Sequence, residues 1–356
     1  LEKMDRLKEI IAGIQPTDAN ARDEAWKNWD SLCKPLRGLG WLEEVVVQIA
    51  GIYGDAHPHP DKRAVVIMGA DNGVVKEGVT QTDSSVTMQV LENMGNDLST
   101  ACIMSHLAGC TMVPVNIGGL KDGVHPKIRN CVVRYGTGNI AEGPAMTREE
   151  CVQAILTGVD TVRDLKAEGY DLIVTGEMGI GNTTTSSACA AVLFDQAPEV
   201  VTGRGAGLST EGLNKKVRAI ERAIEVNHPD KTDAIDVISK VGGLDIAGMV
   251  GCYLGAAYYH LPILIDGFIS AISAYLAGML SKTAKEYMIP THGSAEPAAK
   301  LAMEHLGMQA PIQAGMHLGE GTGAIMGLSL IDQGLNVYYH VATWDGAHVE
   351  AYTHQK

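Results

Sequence analysis

From Ala64 onward the chain alternates short, continuous apolar runs with longer segments of helical period. The runs are AVVIMGA (64–70), TMVPVNI (111–117), NCVVRY (130–135), DLIVTG (171–176) and PILIDG (262–267). A strand with one face in water alternates apolar and polar residues. A strand that is apolar throughout is buried on both faces, which requires helices above and below a mainly parallel sheet. The intervening segments supply those helices. Thr147 and Glu150 have the spacing of a capping box, Val152, Ile155, Val159, Val162 and Leu165 form an apolar stripe, and Gly169 follows as a stop, which predicts a helix from Thr147 to Glu168. The pattern specifies an α/β fold with a doubly wound, mainly parallel sheet.

The first 50 or so residues read as helical. Leu1, Met4, Leu7 and Ile11 share one face, Trp26, Trp29 and Leu32 another, and LEEVVVQIAGI continues the pattern up to a linker, GDAHPHPDK (54–62). His57 and His59 in that linker sit among prolines at an exposed position without a recognisable carboxylate–histidine metal pattern, so a plain loop accounts for them better than a metal site does.

The totals exclude several classes of function. Of 356 residues, 42 are acidic and 28 basic, a net charge of -14 with no basic tract, which argues against a nucleic-acid or anionic-membrane surface. Any anionic ligand must be gripped locally. Seven cysteines without a C-x-x-C pair point to reduced thiols and a cytoplasmic setting. The opening LEKMDRLKEIIAGI is charged and amphipathic, unlike a signal peptide, and no apolar run approaches the roughly 20 residues of a spanning helix. A soluble protein is expected.

Glycines gather where such strands end, which is where ligands bind in this architecture. GRGAGL (203–208) has its third glycine misplaced for a dinucleotide fingerprint, and G-x-x-x-x-G-K-S/T, H-E-x-x-H and G-x-S-x-G are absent. A nucleotide-binding oxidoreductase therefore lacks its main support. The remaining turns suit a phosphate held by backbone N–H groups at helix N-termini. Gly203, Gly205 and Ala206 precede a predicted helix, GLNKKVRAIERAIEV, whose Lys216 could reach back to an anion; an exposed helix lysine is the plain alternative. Gly179, Gly181, Asn182 and Thr183 precede TTSSACAAV, where close helix–strand packing would equally account for the glycines. Two carboxylates, Glu177 and Glu320, sit among glycines at such places. A carboxylate that must meet a ligand benefits from glycine neighbours, whereas an acid at a helix start needs only the helix dipole.

Eight segments in order, KPLRGLGWLE, ADNGVVKEGV, GTGNIAEGPAM, TGEMGIGNTTTSSA, ISKVGGLDIAGMVG, LPILIDGFISA, THGSAEPAA and LGEGTGA, resemble the nicotinate-nucleotide:dimethylbenzimidazole phosphoribosyltransferase family of cobalamin lower-ligand synthesis. The resemblance covers nearly the whole chain. It implies a large α/β domain at 60–324, a smaller helical domain from 1–55 and 325–356, and a dimer, either of identical chains or with a paralogous subunit. The implied chemistry moves phosphoribose from nicotinate mononucleotide to an aromatic base with inversion and release of nicotinate. No cofactor or metal is implied, because the donor's pyridinium is already a good leaving group. By residue, the resemblance makes Glu320 the catalytic base and Glu177 the second acid. Gly179, Asn182, Gly205, Ala206, Lys216, Asp266, Gly267 and Ser294 fall on the phosphoribosyl side, and Thr82, Val90, Met178 and Leu318 on the acceptor side.

The departures concern mainly the acceptor. The family's KPPGSLG is KPLRGLG here, so Leu36, Arg37 and Gly38 replace Pro-Gly-Ser, while Asn72 stands for a usual His and His317 for a usual Arg. Where the family carries a serine and, eight residues on, a glutamine for the benzimidazole ring nitrogen, ungapped counting gives Thr82 and Val90, with Gln89 one position away. One position turns a helical side chain by about 100°. Met178 stands where leucine is common. Such a pocket favours a base without that nitrogen, such as phenol or p-cresol, over dimethylbenzimidazole, and the resemblance then points to the two-subunit members of the family that act on phenolic bases. The alternative is a supporting or weakly catalytic subunit of a heteromer.

Overall fold

The computed structural model describes residues 2–355. Six strands, β1 (Arg63–Ala70), β2 (Cys110–Gly118), β3 (Arg129–Asn130), β4 (Leu172–Met178), β5 (Ile263–Ile265) and β6 (Met288–Pro290), form one sheet in the order β3-β2-β1-β4-β5-β6. Every pairing is parallel; in β1, Arg63 lies opposite Cys110 on one side and Leu172 on the other. Continuous apolarity has the expected cause. Ala64, Val66 and Met68 join one apolar cluster, and Val65 and Ile67 join a second on the opposite face.

Two elements differ from the sequence expectation. NCVVRY is a strand only at Asn130; beyond it, Cys131 and Val133 donate to Asn116 O and Ile117 O at 2.9 and 3.0 Å from a partly exposed edge. Lying at the border of the sheet, this run is covered less than the central strands. Met288–Pro290 adds a sixth strand that three residues are too few to announce.

The helix at Arg148–Ala167 forms behind its capping box, with Glu150 N donating to Thr147 Oγ1 (3.1 Å) and Thr147 N to Glu150 Oε2 (2.8 Å). It crosses the helix Leu244–Tyr258 so closely that a β-carbon on Gly251 would lie 1.9 Å from Ile155 O. The first helix, Glu2–Gly13, buries Leu7 and Ile10 in the cluster on that side and joins Arg6 to Asp160 at 3.1 Å. The helices Ala19–Ser31 and Trp41–Tyr53 lie on the other side with the last helix, Thr322–His340, where Trp29 meets Tyr338 edge-on at 4.9 Å. None of the described helices is long and apolar enough to cross a membrane.

Candidate active site

The carboxyl ends of β4, β5 and β6 meet the turn that starts the last helix. Gly319, Glu320 and Gly321 all have positive φ, at +85°, +58° and +76°. For glutamate this conformation costs about 1–2 kcal/mol, and three contacts hold it in place. Asp266, following β5, accepts from Gly321 N (3.0 Å) and Ala324 N (3.1 Å), while Glu320 N reaches Glu177 Oε1 at 3.4 Å. The flanking glycines are sterically required. A β-carbon on Gly319 would sit 2.5 Å from Glu177 Oε1, and one on Gly321 would sit 2.8 Å from Val65 Cγ2. Glu320 is therefore set against Glu177 by the turn itself, and a helix start alone does not account for it. Burial, then the Asp266 charge, pushes its carboxyl up to about 7.

Glu177 is buried at the end of β4. Burial and then Asp245 push its carboxyl up to about 8, with Asn182 opposing. The Asn182 amide donates to Glu177 Oε2 and, at 3.1 Å, to Asp245 Oδ2. Asn182 and Asp266, expected on the phosphoribosyl side, thus have their side chains engaged in holding the carboxylates and the turn. Gly179 is confined by packing: a β-carbon there would lie 2.6 Å from both Ala70 O and Asp245 Oδ2.

Lys216 corrects one alternative, because it is not an exposed helix lysine. It is 1 % exposed, and from the helix Thr210–Asn227 its Nζ donates to Thr183 Oγ1 (2.8 Å) and Gly203 O (3.1 Å). Burial pushes its ammonium down to about 8, opposed by Glu296. Gly205, at φ +53°, lies so close that a β-carbon would be 3.5 Å from this Nζ. Ala206 is exposed, and its carbonyl accepts from Gln81 Nε2 at 3.3 Å. A buried ammonium beside a glycine turn, bonded only to neutral oxygens, is suited to a phosphate monoester. Gly267 begins the helix Phe268–Leu280; a β-carbon there would come within 3.6 Å of His292 Nε2 and 3.8 Å of Ser294 Cβ.

On the acceptor side, Met178 is buried, and Val90, Val86 and Ile180 pack against the same apolar cluster. Ile180 N donates to Thr87 Oγ1 (3.1 Å), which ties the end of β4 to the helix Ser85–Gly95. Gln89 on that helix is exposed, as are Thr82 and Leu318. Val90 and Met178 thus belong to the apolar cluster on one face of the sheet, while Thr82 and Leu318 lie at the surface.

Two residues escaped the sequence reading. Asp245 is a lone acid in the apolar run LDIAGMVG. His292, after β6, is buried with Nε2 3.5 Å from Asp266 Oδ1, and its ring fills the space a β-carbon on Gly323 would need. Among the described residues no three of His, Cys, Asp and Glu are grouped to hold a metal. His57 is exposed beside Asp55, and His59 stacks on Tyr339 at 4.9 Å.

The raised acids predict a pH effect on stability. A carboxyl whose pKa is higher folded than unfolded contributes stability that is fully present below the unfolded value and lost as pH rises through the folded value. For Glu177 that window runs from its ordinary 4.5 to about 8, at up to about 1.4 kcal/mol per pH unit. The melting temperature of Glu177→Gln should match the parent near pH 5 and exceed it near pH 8. Parallel curves would show that Glu177 is ionised throughout.

A phosphoribosyltransferase family model, DBI_PRT, matches residues 14–349. The chain belongs to this family. It is 46 % identical over 98 % of its length to the nicotinate-nucleotide–dimethylbenzimidazole phosphoribosyltransferase of Acetivibrio thermocellus, covering 99 % of that protein, and 44 % identical over 97 % to the protein of that name from Ruminiclostridium cellulolyticum, covering 98 %. The crystal structure of CobT from Thermus thermophilus is similar at a TM-score of 0.88 and 35 % identity, over 94 % of this chain and all of that one.

Proposed function

We propose that this phosphoribosyltransferase moves phosphoribose from nicotinate mononucleotide to an aromatic lower-ligand base in cobamide biosynthesis. The observation that carries the reading is Glu320, a carboxylate held at positive φ against Glu177 with its pKa pushed up to about 7. A base tuned near neutrality takes the proton of an incoming nitrogen or hydroxyl as that atom attacks the anomeric carbon. The glycosidic C–N bond breaks on the opposite face, the electron pair returns to the pyridinium ring, and nicotinate leaves with inversion at carbon. Lys216 and the Gly203–Ala206 turn hold the phosphate, which keeps the anomeric carbon in place. The names of the relatives support the donor and the benzimidazole acceptor. Incubating the chain alone with nicotinate mononucleotide and a panel of benzimidazoles and phenols tests this reading. Nicotinate release with a new nucleotide is expected. No release by the isolated chain would instead favour a supporting subunit that needs a paralogous partner.

The Val90 position favours extending the acceptors to phenols. Val90 and Met178 belong to one apolar cluster, and the neighbouring amide, Gln89, is exposed. A benzimidazole ring nitrogen buried there without a partner costs about 1–3 kcal/mol, which a phenol avoids. Val90→Gln should shift the ratio of kcat/KM toward dimethylbenzimidazole by roughly tenfold, about 1.4 kcal/mol. A parent enzyme that strongly prefers dimethylbenzimidazole, with a substitution that changes nothing, would remove Val90 from the pocket.

A further inference from the structure

We propose that Asp245 is a positioning residue whose negative charge, across the Asn182 amide that the two acids share, keeps Glu177 protonated on the oxygen beside the Glu320 turn. The geometry rests on a shared donor. The two hydrogens of Asn182 Nδ2 serve Glu177 Oε2 and Asp245 Oδ2, the latter at 3.1 Å, and both acids are buried. Among the described residues the groups whose charge acts on Glu177 are Asp245, Asp266 and Glu320, all acids, and Asp266 in turn meets His292, with Nε2 3.5 Å from its Oδ1. Two buried carboxylates joined by one amide do not both ionise, so a proton must reside on one of them.

The donors decide which. Asp245 stands in the first turn of the helix Leu244–Tyr258, where the helix dipole favours a negative charge. Its Oδ1 accepts from Ile246 N at 3.0 Å, its Oδ2 from Asn182, and the Asn72 side chain also stabilises its charged form. Glu177 has the shared amide and only the long contact from Glu320 N at 3.4 Å. The charge therefore settles on Asp245 and the proton on Glu177. The direction agrees with the burial effects, which push Glu177 to about 8 and Asp245 to about 6. Oε2 takes the close amide bond and Oε1 only the long contact from Glu320 N, so the proton sits on Oε1, the oxygen beside Gly319 and the Glu320 backbone.

A neutral Glu177 places no second negative charge beside Glu320. It therefore leaves Glu320, the base in the reading above, without charge repulsion from that side. The consequence for turnover rests on that reading; the protonation itself does not.

The test is an infrared titration of the full chain without substrate. Subtracting the spectrum of Glu177→Gln isolates the protonated-carboxyl band of Glu177, which should be present at pH 7. In Asp245→Asn its titration midpoint should fall by about one pH unit or more, because a buried like charge has been removed. If that variant does not fold, Asn182→Ala replaces it, and loss of the shared amide should raise the midpoint. Absence of the band at pH 7, or a midpoint that neither substitution moves, overturns the proposal. A second readout is kinetic. Asp245→Asn should shift the pH profile of kcat with little change in KM for nicotinate mononucleotide, and should shift nothing further when added to Glu177→Gln. A shift that persists in the double variant means that Asp245 does not act through Glu177. Lack of activity in every variant, with the infrared result as expected, would count against the proposed reaction and leave the protonation of Glu177 standing.

Discussion

Glu320→Gln should reduce turnover by roughly 10²- to 10⁴-fold, the usual contribution of a general base, while nicotinate mononucleotide binds nearly as before. Glutamine keeps the shape of the side chain, and the backbone contacts that hold the turn, Gly321 N and Ala324 N to Asp266, do not involve the Glu320 carboxylate. The substitution therefore removes basicity without unmaking the turn. In the parent enzyme the rate should rise as pH passes through about 7, since the carboxyl must lose its proton before it can accept one. That limb should vanish in the glutamine variant. Steady-state rates across pH, together with donor affinity by calorimetry, decide the matter. Turnover near the parent level would remove Glu320 from the reaction.

Lys216→Ala should weaken nicotinate mononucleotide by roughly 10- to 100-fold and leave the free aromatic base almost unaffected. Only the mononucleotide carries a phosphate, and a charge-assisted hydrogen bond contributes about 1.5–3 kcal/mol. The depressed pKa of the lysine, about 8, follows from burial, which Glu296 opposes only in part because the ammonium bonds neutral oxygens instead. A bound phosphate would supply the missing anion and raise that pKa again, so the affinity should decline as pH rises above about 8. Because Lys216 also bonds Thr183 Oγ1 and Gly203 O, its removal leaves two protein oxygens without their donor. Lys216→Met, which retains the apolar stem, separates the two roles. Equal weakening of mononucleotide and free base in both variants would make Lys216 a packing residue.

Much of the fold was legible because the central strands are covered on both faces. Each of their residues meets apolar neighbours, and the sequence records that directly as uninterrupted Val, Ile, Leu and Met. Where cover fails, so does the signal. NCVVRY looks like its neighbours, yet at the edge of the sheet most of it is loop, and β6 is shorter than any run that pattern alone separates from a helix end. The capping box of Thr147 and Glu150 was readable because its partners are three residues apart and need nothing from the rest of the chain.

The site divides in the same way. Glycine spacing marked Glu177, Glu320 and the Gly203–Ala206 turn, because a backbone pressed against another group excludes a β-carbon wherever in the fold it lies. The burial of Lys216, the exposure of Gln89, and the meeting of Asp245, Asn182 and Glu177 depend on segments distant in the chain, 63 residues apart for Asn182 and Asp245. The sequence by itself determined the layered α/β architecture, the family and the turns that carry the carboxylates, since these follow from local period and local sterics. Only the tertiary structure decided which polar groups leave water together, and desolvation sets both the charge of each acid and the direction of each donor.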